Sequence, residues 1–168
     1  RTGRTRADDE TAALGLSLRA CDLFEDAGKE ALGMECFRRT LGLALRAKRH
    51  RDALALLQRM VAIYAPGKLD QPNNVWKSFL SIVVLHLHLG DAVAADACFQ
   101  EQLNDDGYLT SKECVAAEEA VAAYKAFDAE RLAECVAQQP AFRYLGTQMV
   151  RVAKKLTLGG GETSALPP

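Results

Sequence analysis

His86 and His88 flank Leu87. On a helix that spacing turns the two rings to different faces, so they cannot share one metal ion. Glu118 and Glu119 are adjacent carboxylates, but acid and base catalysis by such a pair needs a cleft, and an exposed helix face offers none. The glycine run from Gly159 to Gly161 follows a helical segment instead of leading into one and lacks the GK[ST] ending of a phosphate loop. The five cysteines Cys21, Cys36, Cys98, Cys114 and Cys135 are odd in number, far apart and set among apolar residues without a CxxC pair. That pattern points to buried, reduced thiols in a cytosolic protein. A thiol-dependent activity through Cys98 or Cys114 would require a lowered thiol pKa. No catalytic, cofactor or metal site emerges from these residues, and the expectation is a non-enzymatic protein that needs no cofactor.

Charge is more informative. The chain has 168 residues and a formal net charge of -1, which argues against a protein that neutralises nucleic-acid phosphates. Yet the charge is segregated. Arg38, Arg39, Arg46, Lys48, Arg49 and Arg51 make one stretch strongly basic, whereas the chain from Asp96 to Glu134 is mostly acidic. Two partners of opposite sign could be served at once. Arg151, Lys154 and Lys155 crowd the end of the last helix, where cations complement the helix dipole. His50 sits in a basic turn and is expected to be solvated. No run of 18 or more apolar residues and no signal-peptide pattern occurs.

The elements that must position these charges read as helices throughout. Arg1 to Asp8 is expected to be a flexible basic lead-in, with Asp8 or Asp9 as the first cap, followed by a helical domain over 9–158 and a tail without order over 159–168. The first helix carries Leu14, Leu18, Cys21, Leu23 and Phe24 on one face and ends at Gly28. The second, over 29–48, carries Leu32, Cys36, Phe37, Leu41, Ala44 and Leu45. Asp52 is the expected cap of a third helix that Pro66 and Gly67 stop. Asn73 or Asn74 then caps a long helix in which Trp76, Phe79, Leu80, Val83, Val84, Leu87 and Leu89 leave little polar surface, so it should be the most enclosed in the chain. After Gly90 and the Asp91 cap an alanine-rich helix returns. Thr110 with Glu113 fits a capping box for a helix from 111 to about 127, Asp128 opens a short helix, and Pro140 opens a last helix with Phe142, Leu145, Met149, Val152 and Leu156 inside.

Three turns, RHRDALALL, LGDAVAADACF and FDAERLAECV, repeat one grammar at a spacing of roughly 38 residues, as in tetratricopeptide-like arrays. The fold class is therefore all-α, an α-solenoid of antiparallel helical hairpins with a right-handed superhelix, whose business is holding other proteins. The runs VWKSFLSIVVLHLHLGDAVAADACFQE, DGYLTSKECVAAEEAVAAYKAFDAERLAECV and FRYLGTQMVRVAKKLTLGGG closely resemble the C-terminal half of the soluble NSF attachment proteins, the gamma type above the alpha or beta type. The resemblance covers about residues 9 to 161. It implies a cytoplasmic adaptor, peripheral to membranes of the ER, Golgi or vesicles, that binds assembled SNARE complexes and recruits the ATPase NSF to take them apart in vesicle fusion. It implies that Arg38, Arg39, Arg46, Lys48, Arg49 and Arg51 lie toward the SNARE proteins, and Glu118, Glu119, Asp128, Glu130 and Glu134 toward NSF. After Ala123, where alpha-type members carry paired glutamates, this chain reads Tyr124, Lys125 and Ala126. The alternative is a generic helical scaffold taking peptides from an unrelated partner.

Overall fold

The structure, a computed structural model, describes residues 3–159. It is all-α, with helices α1 (Arg6–Asp26), α2 (Glu30–Arg46), α3 (His50–Tyr64), α4 (Pro72–His88), α5 (Ala92–Gln102), α6 (Lys112–Lys125), α7 (Ala129–Gln138) and α8 (Thr147–Lys154). Short 3-10 turns cover Tyr108–Thr110 and Pro140–Tyr144. Successive helices pack on one another from α1 to α7, and α4 also packs on α6, which makes a helical solenoid. Then the order breaks. α8 touches α7 and also returns along the chain to lie against α2 and α4. Among the described residues no helix is long and apolar enough to cross a membrane.

One joint recurs four times. Helices α1, α2, α4 and α6 each end with a residue in the left-handed region: Gly28 (φ 63), Lys48 (φ 56), Gly90 (φ 77) and Phe127 (φ 54). In each case the next residue donates its N–H five residues back: Lys29 to Phe24 (2.9 Å), Arg49 to Ala44 (2.8 Å), Asp91 to His86 (2.9 Å) and Asp128 to Ala123 (3.0 Å). This is the hydrogen-bonded helix stop that satisfies otherwise orphaned carbonyls and reverses the chain. The residue after the stop is the N-cap of the next helix. Asp91 and Asp128 fill that role with their side chains, accepting from the N–H of Ala94 and of Arg131.

Several expected caps are corrected. Thr5, not Asp8 or Asp9, caps α1, in a reciprocal box with Asp8. Asp52 does not cap α3: the four-fold joint puts Arg49 at the N-cap, and Asp52 lies inside the first turn. Neither Asn73 nor Asn74 caps α4, because Pro72 itself occupies the first turn, where its missing N–H costs nothing. Ser111 caps α6, accepting from Cys114 N–H, in place of the Thr110 and Glu113 box. The last helix is two pieces. Pro140 starts only a 3-10 turn, and the chain bends at Gly146 (φ 89) before α8 begins, because α8 must turn toward α2 and α4. The stretch from Gly160 onward, part of the tail expected to lack order, lies outside the described residues.

The core centres on α4, whose six consecutive residues Leu80 to Leu85 are all buried, as its composition predicts. Two buried serines sit comfortably in it, since Ser78 and Ser81 donate to the Asn74 and Lys77 carbonyls. Trp76 is only half-buried. Its indole N–H donates to Asp105 (3.2 Å), and its ring lies so close to Gly107 that an added Cβ would sit 2.8 Å from it. At the first hairpin Gly33 does similar work, because a Cβ there would meet Phe24 at 2.5 Å. Leu23 and Leu32, expected on buried stripes, are instead 66% and 76% exposed.

Two outcomes follow from this packing. Phe127 holds a left-handed backbone that disfavours a side chain, yet it is 79% exposed and contributes little burial. Phe127→Gly should therefore stabilise the chain by about 1 kcal/mol, read as a higher urea midpoint at unchanged slope; a lower midpoint would contradict the strained joint. The second concerns His86, whose burial holds its pKa below the usual 6.5, with Asp91 opposing and Arg51 reinforcing that shift. The unfolded chain binds this proton more readily, so the contribution is fully present above the unfolded pKa and is lost as pH falls through the folded one. Urea midpoints should drop between about pH 7.5 and 5, and His86→Gln should flatten that stretch; an unchanged pH slope in the variant would contradict the assignment.

Candidate functional site

The joint between α2 and α3 carries most of the basic residues, and its geometry decides where each one points. Arg46 ends α2, Lys48 takes the left-handed position, and His50 and Arg51 open α3. The end of α4 lies beside this joint, with the His50 and His88 rings edge to face at 4.7 Å. His50, expected to be solvated, is thus half-buried against a second imidazole. Because α8 folds back here, Arg151 and Lys155 arrive on the opposite wall. Together these elements enclose a cleft of about 530 Å³ whose lining includes Arg46, Lys48, Arg51, Arg151 and Lys155. Among the described residues no aspartate or glutamate lines it.

Of the six basic residues singled out in the sequence, Arg46, Lys48 and Arg51 share this cleft. Arg38 lines an adjoining, more apolar pocket of about 390 Å³ with Leu41, Leu57, Met60 and Tyr144. Arg38 and Arg39 both lean on Glu35, at 3.6 and 4.0 Å, and Arg49 pairs with Asp52 at 3.0 Å. These exposed pairs are weak, about 0–1 kcal/mol, and leave the guanidinium groups available to a partner. Arg151 and Lys155 read in the sequence as dipole-complementing cations at a helix end. Their four-residue spacing, which puts both on one face, was the available signal for a shared wall.

The acidic residues lie on α6 and α7 and at the joint between them. Glu118 is exposed on α6, while Glu130 and Glu134 are exposed on α7. Asp128 spends one carboxylate oxygen on the Arg131 N–H, and half-buried Glu119 accepts from Gln139 Nε2 at 2.7 Å. Those two are partly committed to structure. The intervening Tyr124 and Lys125 are committed as well: Tyr124 is buried and its hydroxyl accepts from Gly159 N–H, and Lys125 binds Asp96 at 2.8 Å.

Cys21, Cys98, Cys114 and Cys135 show none of the activation that nucleophilic chemistry requires. Burial pushes Cys98 and Cys114 up, and pushes Cys135 up to about 12. Cys21 and Cys36 approach to 3.8 Å beside Thr40, between α1 and α2, and burial raises the Cys21 thiol also. Among the described residues no cluster of three or more His, Cys, Asp or Glu side chains could hold a metal ion.

Comparison with known proteins agrees with this architecture. The family model for "Soluble NSF attachment protein, SNAP" matches residues 4–155. The gamma-soluble NSF attachment protein of Dictyostelium discoideum is 28% identical over 152 residues, which is 89% of this chain and 45% of that protein. The protein of the same name from Arabidopsis thaliana is 25% identical over 147 residues, 88% of this chain and 50% of its own length. The chain spans about half the length of the curated relatives it matches. With the family pattern running from before α1 through α8, the chain belongs to the soluble NSF attachment protein family.

Proposed function

We propose that this chain works as an adaptor that binds assembled SNARE complexes and recruits NSF for their disassembly in vesicle-mediated transport, peripheral to membranes through its partners. Members of the family are adaptors and not enzymes, and the raised thiols accord with that. One observation supports the reading: the opposite charges lie on different helices of one stack. The basic set is on α2 and its joint with α3, with Arg38, Arg39, Arg46, Lys48, Arg49 and Arg51. The acidic set is on α6 and the start and body of α7, with Glu118, Glu119, Asp128, Glu130 and Glu134. Helices α4 and α5 lie between them along the chain. A protein that grips two charged partners gains from this separation, since like and unlike potentials steer each partner to its own set.

In this arrangement the basic set meets acidic side chains of the SNARE bundle and the acidic set meets a basic surface of the ATPase. Exposed Glu118, Glu130 and Glu134 supply most of that second contact, because Asp128 and Glu119 already hold local hydrogen bonds. A generic peptide scaffold fits less well. Such a scaffold presents an open helical groove, whereas α8 of this chain already lies across α2 and α4.

Retention of assembled SNARE bundle and of NSF on the immobilised chain, at low and moderate salt, tests the reading. Arg46→Glu with Arg51→Glu should cut SNARE retention by roughly tenfold, and Glu118→Lys with Glu130→Lys should cut NSF retention while sparing the SNARE bundle. Failure to retain either partner, or capture of a linear peptide with no ATPase in the complex, would overturn it.

A further inference from the structure

Helices α1 and α2 close on each other through three successive rungs. Nearest the turn at Gly28, Gly33 faces Phe24 so tightly that an added Cβ would sit 2.5 Å from the ring. Next, Cys36 faces Cys21 with the two sulfurs 3.8 Å apart. Beyond them Thr40 faces Ser17 across a hydroxyl hydrogen bond. Each rung steps outward by three or four residues on both helices at once, the repeat of a single helix face. The sulfur pair is therefore held by the register of the hairpin.

The two thiols differ in access and in surroundings. Cys21 is fully buried, whereas Cys36 is half-buried and reaches solvent. The Thr40 hydroxyl donates to the Cys36 carbonyl at 2.7 Å, which leaves its oxygen to accept from the Cys21 S–H 3.4 Å away. That bond draws the Cys21 proton aside and leaves the sulfur lone pairs toward Cys36. Burial pushes the Cys21 thiol up to about 11 and keeps it protonated at rest. Helix α1 is also the helix with most to gain from a cross-link. It packs on the rest of the chain mainly through α2, with Arg59 of α3 adding ion pairs to Asp22 and Glu25.

We propose that Cys21 and Cys36 are a site of reversible oxidative modification, joined as a disulfide by a peroxide and parted again by a dithiol reductant, so that α1 is stapled to α2 under oxidising conditions. Cys36 meets the oxidant first. Its thiolate sulfur attacks one peroxide oxygen, the O–O bond breaks, and the departing hydroxide takes up the thiol proton as water, leaving a sulfenic acid on Cys36. The Cys21 sulfur then attacks the Cys36 sulfur. The S–S bond forms, the S–O bond breaks, and the hydroxide that leaves takes the Cys21 proton as a second water. The two thiols give up two electrons and the peroxide gains them. The site stands apart from the adaptor reading, and its test contains neither SNARE nor ATPase.

The whole chain is reduced, treated with hydrogen peroxide near neutral pH, blocked with N-ethylmaleimide and cut with trypsin. Because Lys29 separates the two cysteines, mass spectrometry should find residues 20–29 linked to residues 30–38. The thermal midpoint of the oxidised chain should rise by about 5 °C or more and fall back with dithiothreitol. Cys36→Ser, at a half-buried position, should abolish both effects, and Cys98→Ser should leave both in place. Cys21→Ala removes the second sulfur, so peroxide should then leave a dimedone-reactive Cys36 that does not accumulate in the unaltered chain. The linked peptide and Cys36→Ser decide the matter even if Cys21→Ala, at a fully buried position, does not fold. Absence of the linked peptide, linkage to Cys98, Cys114 or Cys135 in its place, a linked chain whose midpoint does not rise, or a rise that survives in Cys36→Ser overturns the proposal.

Discussion

Complete burial of the middle of α4 is the constraint on which the rest of the structure depends. From Leu80 to Leu85 no residue faces water, so this helix has no polar stripe to turn outward. A helix apolar on all sides is stable only when neighbours cover each of them. Here α3, α5, α6 and α8 supply that cover. Burying one such aliphatic side chain contributes about 1.5–3 kcal/mol, which makes the return of α8 favourable even though α8 is short. Its Met149, Val152 and Ala153 are buried as a result.

The charged surface is a consequence of that burial. Covering α4 with α8 carries Arg151 and Lys155 to the α2–α3 joint, where Arg46, Lys48 and Arg51 already stand. The cost of gathering cations is offset by the burial of Met149, Val152 and Ala153 on the same helix. Four left-handed helix stops do the complementary task of spacing. Each reverses the chain with the same hydrogen bond, so successive helices pack on one another.

Much of this was legible in the sequence. The apolar periodicities placed α1 through α7, and Asp91 and Asp128 marked true caps because a short acceptor directly follows the helix stop. The same logic failed at Asp52. There the stop falls at Lys48, a residue with no sequence signature for a left-handed backbone, so the first aspartate downstream looked like the cap. The direction of α8 was hidden for a different reason. Its apolar face is evident, but which helices it covers depends on vacancies around α4 that only the packed array defines. Of the candidate site, the α2–α3 half could be read as a run of Arg and Lys. The α8 half could not, since local dipole pairing explains Arg151 and Lys155 equally well until the fold places them across a cleft. The Leu23 and Leu32 misreadings have a similar origin, because periodicity identifies a stripe without saying how wide its partner is.

Native-state hydrogen exchange tests the central role of α4 most directly. Amides from Ile82 to Leu87 should open only through global unfolding, with free energies equal to that from denaturant melts and the same dependence on denaturant. Opening of these amides at a clearly lower free energy, while α1 and α2 remain protected, would show that the array does not depend on α4 and would contradict the account.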